Sequence, residues 1–413
     1  MSIWLVPRDE LTLEQLRAVE LDRKNHRVVM GGPGSGKTLV LLHRARYLRE
    51  EIQAESRFHI FVYTNVLKEY LKSALYLLEL PESCVTTLDS WCYSYFRRNI
   101  RGPLPRKGKA VDFPKIRRKV LEYLKKNDKD QPQYDFIMVD EGQDMNNVAY
   151  EIFKVISKHI TVCLDSKQQL YEVGSTEQEI LKELGVHACN VNLLEGYRCS
   201  PYIVKLAAQL IKGKKERDAY IRQTRTRSTD IETPVLFYAK SAKEEKERLI
   251  SIIHTRLLNN ERIAVLFPKK KQVFGYAVAL RAAGLEVEDM DGLDFSKENP
   301  KLMTYHSAKG LTFDTVIMPR LVKSSFFKVA EDVLERQVFV ALTRATKWVY
   351  MSTVQGQEIT CLQRFADQVE QGNVTVQKSE EMTESRRSAA NAGSIKNDNR
   401  ECEGDNSDLL DIF

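Results

Sequence analysis

The sequence predicts an α/β protein built from two mainly parallel sheets in tandem, split near residue 195. Three observations lead there. Short apolar strands alternate with helix-like stretches, the pattern of a doubly wound sheet. The alternation occurs twice, once on each side of residue 195. The stretch "VVMGGPGSGKTLVLL", residues 28–42, sets a glycine loop between an apolar strand and a helix, where such sheets hold phosphates.

The elements follow in order. "RVVMGG" reads as a short strand running into the loop, and "KTLVLLHRARYLREEI" has helical periodicity. "HIFVYT" (59–64), "FIMVDE" (136–141) and "ITVCLD" (160–165) are the next strands, with helix-like stretches between them. A second series comprises "PVLFYA" (234–239), "RIAVLFP" (262–268), "KLMTYH" (301–306), "DTVIMP" (314–319) and "KWVYMS" (347–352). Its helices include "AKEEKERLISIIHTRLL" and "KQVFGYAVALRAAG", the latter closed by Gly284 as a C-cap. Two segments break the alternation. Residues 97–129 carry 13 Lys/Arg against three acids and read as a short basic insertion. From about Gln371 the chain is polar and poor in aromatics, so residues 371–413 read as a disordered tail.

At 413 residues the chain has room for two or three domains. No apolar run approaches the roughly 18 residues of a membrane span, and the opening segment lacks the plan of a signal peptide. Seven scattered cysteines without a CxxC pair predict reduced thiols in a cytoplasmic setting and argue against a structural zinc site. The net charge of +6 hides an asymmetry. Residues 378–413 hold five basic and nine acidic side chains, or −4, which leaves +10 for the rest. A basic body with an acidic tail predicts a polyanionic partner for the body.

Gly31, Gly32, Pro33, Gly34, Ser35, Gly36, Lys37 and Thr38, "GGPGSGKT", fit GxxxxGK[ST]. Glycines let backbone N–H groups converge on phosphate oxygens, Lys37 reaches the β- and γ-phosphates, and Thr38 binds Mg²⁺. About one hundred residues on, "FIMVDEGQD" sets two carboxylates at the end of a strand, the edge where open α/β sheets bind ligands. Asp140 is the expected second metal ligand, and Glu141 the base that orients and deprotonates water. A base beside the metal favours ATP hydrolysis over transfer to a substrate.

Seven or more short motifs in chain order resemble the superfamily 1 helicases of the UvrD/Rep/PcrA type, over almost all of residues 11–351. "LTLEQLRAV" is similar to the Q motif, which implies that Gln15 reads adenine. "GGPGSGKT" and "VDEGQD" match motifs I and II. "VYTN" (62–65) and "TTLDSW" (86–91) resemble motifs Ia and Ib, which contact single-stranded DNA. "DSKQQLY" (165–171) resembles motif III, with Gln168 as γ-phosphate sensor. "LEGYRCSP" (194–201) resembles motif IV, with Tyr197 stacking on adenine and Arg198 as an arginine finger. "LMTYHSAKGLTFDTVIMP" resembles motif V and places Gly310 at the nucleotide. "ERQVFVALTRAT" resembles motif VI, with Arg344 as the second finger.

The resemblance implies two tandem RecA-like (P-loop) domains, 1–195 with the basic insertion at about 97–129 and 196–370, followed by the tail at 371–413. ATP would lie in the cleft between them, so that closing and opening move the protein along DNA, 3′ to 5′, in repair, replication or recombination. Tyr63 and Trp91 are candidates to stack on bases. Thr64, Asn65, Thr87, Ser90, Thr304 and His306 are candidates for phosphate or base-edge contacts.

The sequence also departs from the family. Leu39 stands where an arginine is usual, "EVGST" replaces the stretch with a stacking tryptophan, and Thr312 replaces a ribose-binding glutamate. The first insertion is very short and a full second one is missing, which weakens the expectation of processive unwinding. A nucleotide-gated, DNA-binding accessory subunit of a repair or defence complex stays open as an alternative, as does an RNA motor. The acidic tip "GDNSDLLDIF" resembles the tips of bacterial single-strand-binding proteins, which implies a possible protein partner.

Overall fold

The computed structural model describes residues 5–32, 34–52, 56–127, 132–165, 175–193, 199–224 and 232–379. The first half runs α1 (Leu13–Val19), β1 (Arg27–Gly31), α2 (Lys37–Ile52), β2 (Phe58–Val62), α3 (Asn65–Leu75), β3 (Val85–Thr87) and α4 (Leu88–Asn99). A small hairpin, β4 (Arg106–Lys107) and β5 (Ala110–Val111), leads into α5 (Phe113–Lys126). Then come β6 (Tyr134–Val139), α6 (Asn147–Ile156), β7 (Ser157–Leu164), α7 (Glu177–Glu183) and β8 (Val191–Leu193). The second half holds α8 (Pro201–Ala208), α9 (Lys214–Gln223), β9 (Val235–Ala239), α10 (Ala242–Leu258), β10 (Ile263–Phe267) and α11 (Lys270–Ala282). It closes with β11 (Lys301–Thr304), β12 (Phe313–Met318), α12 (Glu331–Leu342), β13 (Ala345–Val354), α13 (Ala366–Glu370) and β14 (Thr375–Lys378).

The strands form two six-stranded sheets, ordered β3-β2-β6-β7-β1-β8 and β11-β10-β12-β13-β9-β14. All strand pairs of the first sheet are parallel. In the second, the pairs from β11 through to β9 are parallel too. Every residue of β2 and of β10 is buried, as expected for strands covered on both faces. Register aligns the strand ends: Met30 lies opposite Leu164, and Phe61 opposite Val139. The loops that follow β1, β2, β6 and β7 therefore share one edge, where an open parallel sheet gathers its functional groups. A continuous buried cluster joins Leu67 and Leu71 of α3 to Met303, Tyr305 and Leu311, so both halves pack together.

All nine strands expected from apolar runs are present. Within the basic segment, α5 buries Ile116, Val120, Leu121 and Leu124 in the core of the first half and leaves its basic face exposed. One expectation needs correction: the chain is ordered beyond Gln371. Val374 is buried, and Thr375 N donates to Pro234 O at 2.8 Å, which adds β14 to the second sheet. The alternation of valines in "NVTVQ" was the signal for that strand. The rest of the proposed tail, residues 380–413, lies outside the described residues.

Candidate functional site

The phosphate loop leaves β1 at Gly31 and enters α2 at Lys37. Gly34 and Gly36 hold φ of 74° and 86°, a left-handed backbone that glycine adopts without strain. A Cβ on Gly36 would come within 2.4 Å of Gln15 Nε2. Gln15 sits at the third position of α1 in a capping box with Thr12. Its Nε2 donates to Ser35 O at 3.1 Å, so α1 braces the loop. Lys37 Nζ donates to Gly31 O at 2.9 Å and to Gly32 O at 3.0 Å, and pairs with Asp165 Oδ2 at 3.4 Å.

The DEGQD loop meets this lysine from the next strand but one. Thr38 Oγ1 donates to Asp140 Oδ2 at 2.8 Å, which joins the two expected metal ligands directly. Burial, and then the Glu141 charge, push the Asp140 carboxyl up to about 6. Such a group is short of a countercharge, and a divalent cation between Thr38 and Asp140 would supply it. The buried Ser35 hydroxyl also has no hydrogen-bond partner among the described residues, so the loop's donor set fits a phosphate and its cation.

Glu141 is buried, with φ of 52°. Burial works against its ionisation, but Lys309, Lys37 and Arg344 outweigh it and hold the carboxyl below its ordinary value. It is therefore a carboxylate at neutral pH, as a proton acceptor must be. Gln143 Nε2 donates to Glu141 Oε2 at 2.5 Å while Gln143 Oε1 accepts from Asp165 N at 2.9 Å.

The second half reaches the same place. Lys309 Nζ lies 2.5 Å from Asp144 Oδ2 and 3.7 Å from Glu141 Oε2. A Cβ on Gly310 would sit 3.0 Å from Leu67 Cδ2 and 3.6 Å from Glu141 Oε1. Arg344 is buried just beyond α12, where Nε donates to Val340 O at 3.0 Å and Nη1 to Leu311 O at 3.2 Å. Burial lowers its pKa, and Glu141 is the leading charge that opposes this. Pro33, Gln168, Tyr197 and Arg198 lie outside the described residues.

The strand candidates divide. Tyr63, after β2, and His306, after β11, face each other with ring centroids 5.7 Å apart, which joins the two halves on one edge. Asn65 is exposed beside them in chain order. Thr64 and Thr87 are buried N-caps of α3 and α4, accepting from Leu67 N and Ser90 N. Thr304 is similar, with Oγ1 accepting from Ser307 N at 3.2 Å. Ser90 is exposed, and the Thr87 hydroxyl donates to it. Trp91 is a core side chain rather than an open stacking platform. Its indole stacks on Tyr95 at 5.1 Å, donates to Tyr134 Oη at 2.9 Å, and is 9% exposed.

Sequence reasoning assigned no role to Gln143, Asp144, Asp165 or Lys309. Asp165 carried a signal: it follows the apolar strand "ITVCLD" as Asp140 follows "FIMV". Among the described residues, no group of three or more His, Cys, Asp or Glu is placed to hold a metal ion. None of the described helices is long and apolar enough to cross a membrane.

This fold and site define a P-loop nucleotide-binding protein with two parallel sheets. Residues 15–178 match the AAA domain family, and residues 289–356 match the UvrD-like helicase C-terminal domain. A "Probable DNA helicase" of Mycoplasma pneumoniae is 28% identical over 266 residues, covering 59% of this chain and 48% of that protein. A "Probable DNA helicase II homolog" of Mycoplasma genitalium is 26% identical over 172 residues, covering 37% and 24%. This chain thus spans about half or less of the relatives it matches. The C-terminal domain of a possible DNA helicase from Lactobacillus plantarum covers 44% of this chain at 14% identity, with a TM-score of 0.35. These matches support a UvrD-like superfamily 1 helicase.

Proposed function

We propose that the chain is an ATP-dependent motor on single-stranded DNA, with movement 3′ to 5′ as the family resemblance implies. One observation carries this reading. The base Glu141, on the first sheet, is flanked by Lys309 and Gly310 from the second, so the hydrolytic site is assembled from both.

Lys37 and the loop amides would hold the β- and γ-phosphates. Glu141 would take the proton of the attacking water, oriented by its bond from Gln143. Arg344 would neutralise charge on the γ-phosphate, with Arg198 as the second finger. Thr38 and Asp140 would hold Mg²⁺, which would supply neutralisation of phosphate charge. Tyr63 and His306 straddle the two halves, so a strand lying on both would report any change in their separation. The names of the relatives support DNA as the polymer. The reading takes residues 1–195 and 196–370 as the two moving domains, in a cytoplasmic protein.

ATPase rate with and without single-stranded DNA tests this, beside a matched RNA. Stimulation by DNA supports the motor; no hydrolysis under either condition removes it. A second reading, the nucleotide-gated accessory subunit, is favoured by the compact 201–300 stretch, which the second sheet's own elements fill. DNA-stimulated ATPase without strand displacement or translocation would select it. The acidic tip remains a candidate for a protein partner, and deletion of residues 401–413 tests it through partner and DNA affinity.

A further inference from the structure

Glu141 carries backbone strain. At φ 52° and ψ 46° it holds a left-handed conformation that side-chain-bearing residues seldom adopt. Such strain persists only where the surroundings over-determine it. Three backbone bonds fix the loop around it. Glu141 N donates to Asp140 Oδ1 at 3.0 Å, Glu141 O accepts from Asp144 N at 3.0 Å, and Gly142 O accepts from Met145 N at 3.1 Å.

A further bond comes from α6. Tyr150 Oη donates to Gly142 O at 2.8 Å. The tyrosine is wholly buried, edge-on to Phe153 with centroids 6.0 Å apart, in the same core cluster as Met145, Val162 and Leu164. Burial, and then the Asp144 charge, hold the phenol well above its ordinary range, so it stays a donor. Gly142 is seated tightly as well. A Cβ there would overlap Val162 Cγ1 and come within 2.8 Å of Tyr150 Oη, so only glycine fits between β7 and the phenol. Packing needs no more than a ring at position 150, and Gly142 O already has Met145 N as a donor. What the hydroxyl adds is orientation. It fixes the Gly142–Gln143 peptide, which stands between the strained Glu141 backbone and the Gln143 amide that donates to Glu141 Oε2 at 2.5 Å.

We propose that Tyr150 is a positioning residue for hydrolysis: through Gly142 O it holds the Glu141 carboxylate where the attacking water must lie. This rests on Glu141 being the base, a reading that gives Tyr150 no part. The test compares Tyr150→Phe with the unaltered protein, each with and without Glu141→Gln, by steady-state phosphate release, equilibrium ATP binding and urea denaturation. Tyr150→Phe should lower kcat about tenfold, since a misplacement of about 1 Å can cost about 100-fold. ATP affinity should stay within about twofold, because the phosphate loop is untouched. In the Glu141→Gln background the same change should cost nothing further, because the carboxylate it positions is gone. Replacing Tyr150 by para-aminophenylalanine, which restores an N–H donor at the end of the ring, should recover most of kcat. A hydroxyl that served only the fold would lower the urea midpoint and slow both backgrounds alike. An unchanged kcat in Tyr150→Phe, or an equal loss in both backgrounds, overturns the inference while Glu141 keeps its role. Full turnover by Glu141→Gln would remove the base reading, and the inference with it.

Discussion

Lys309 Nζ donates to Asp144 Oδ2 at 2.5 Å, joining the loop after β11 to the loop after β6 across the boundary between the two sheets. Both side chains are almost wholly buried, at 1% and 0% exposure. Removing one partner of such a pair leaves a buried charge uncompensated, at about 3–5 kcal/mol. Lys309→Met should therefore lower stability by roughly that amount. Adding Asp144→Asn to Lys309→Met should restore part of the loss, because the orphaned carboxylate is gone. Urea denaturation of the two single variants and the double variant measures the coupling, and purely additive losses would refute the pair.

Glu141 is separable from the proposed metal ligands, since Thr38 and Asp140 bond to each other independently of its carboxylate. Glu141→Gln should therefore bind ATP normally yet turn over at least about 100-fold more slowly, the scale of a lost general base. Lys37→Ala should lose binding and turnover together. Equilibrium nucleotide binding and steady-state phosphate release, measured on both variants, distinguish these outcomes.

How legible the molecule was depended on the strength of each local signal. Buried parallel strands such as "FIMV" and "IAVLF" are unbroken apolar runs, so they could be read directly. The edge strands β3 and β8 are three residues long, and too short for periodicity to mark. Gly31 to Thr38 could be read because phosphate binding dictates both residue type and spacing. Lys309 and Asp144 lie 165 positions apart, and no local pattern announces their pairing. Trp91 misled for a related reason. An aromatic in a strand-contacting motif looks like a stacking platform until Tyr95 and Tyr134 are seen to occupy it.

Gly310 follows Lys309 in the chain and packs against Leu67, beside Glu141, the proposed base. Its φ of 81° costs a side-chain-bearing residue about 1–2 kcal/mol. An added methyl would also press on Leu67 at 3.0 Å and sit 3.6 Å from Glu141 Oε1. Gly310→Ala should lower turnover more than nucleotide affinity, because the phosphate loop lies on the other sheet. The trimming change Leu67→Ala, added to Gly310→Ala, should recover some activity if crowding is the cause. Kinetics of the single and double variants decide between crowding and backbone strain.

His59, in the middle of β2, is buried beside Phe61 and Tyr134, and its Nε2 lies 3.0 Å from Thr86 Oγ1. Burial lowers its pKa to about 4. The folded value lies below the unfolded one of 6.5, so the unfolded chain binds the proton more tightly. The associated stability is fully present above about pH 6.5 and is lost as pH falls through about 4. At 1.36 kcal/mol per pKa unit, the contribution is on the order of 3 kcal/mol. Burial lowers His159 as well, to about 3, so the two add in the same direction. Urea midpoints measured from about pH 7 down to about pH 4 should fall steeply in the unaltered protein. They should fall less in His59→Phe, which keeps a ring in the core but cannot take a proton, and equal pH dependence in the two proteins would show that His59 does not set the acid limit.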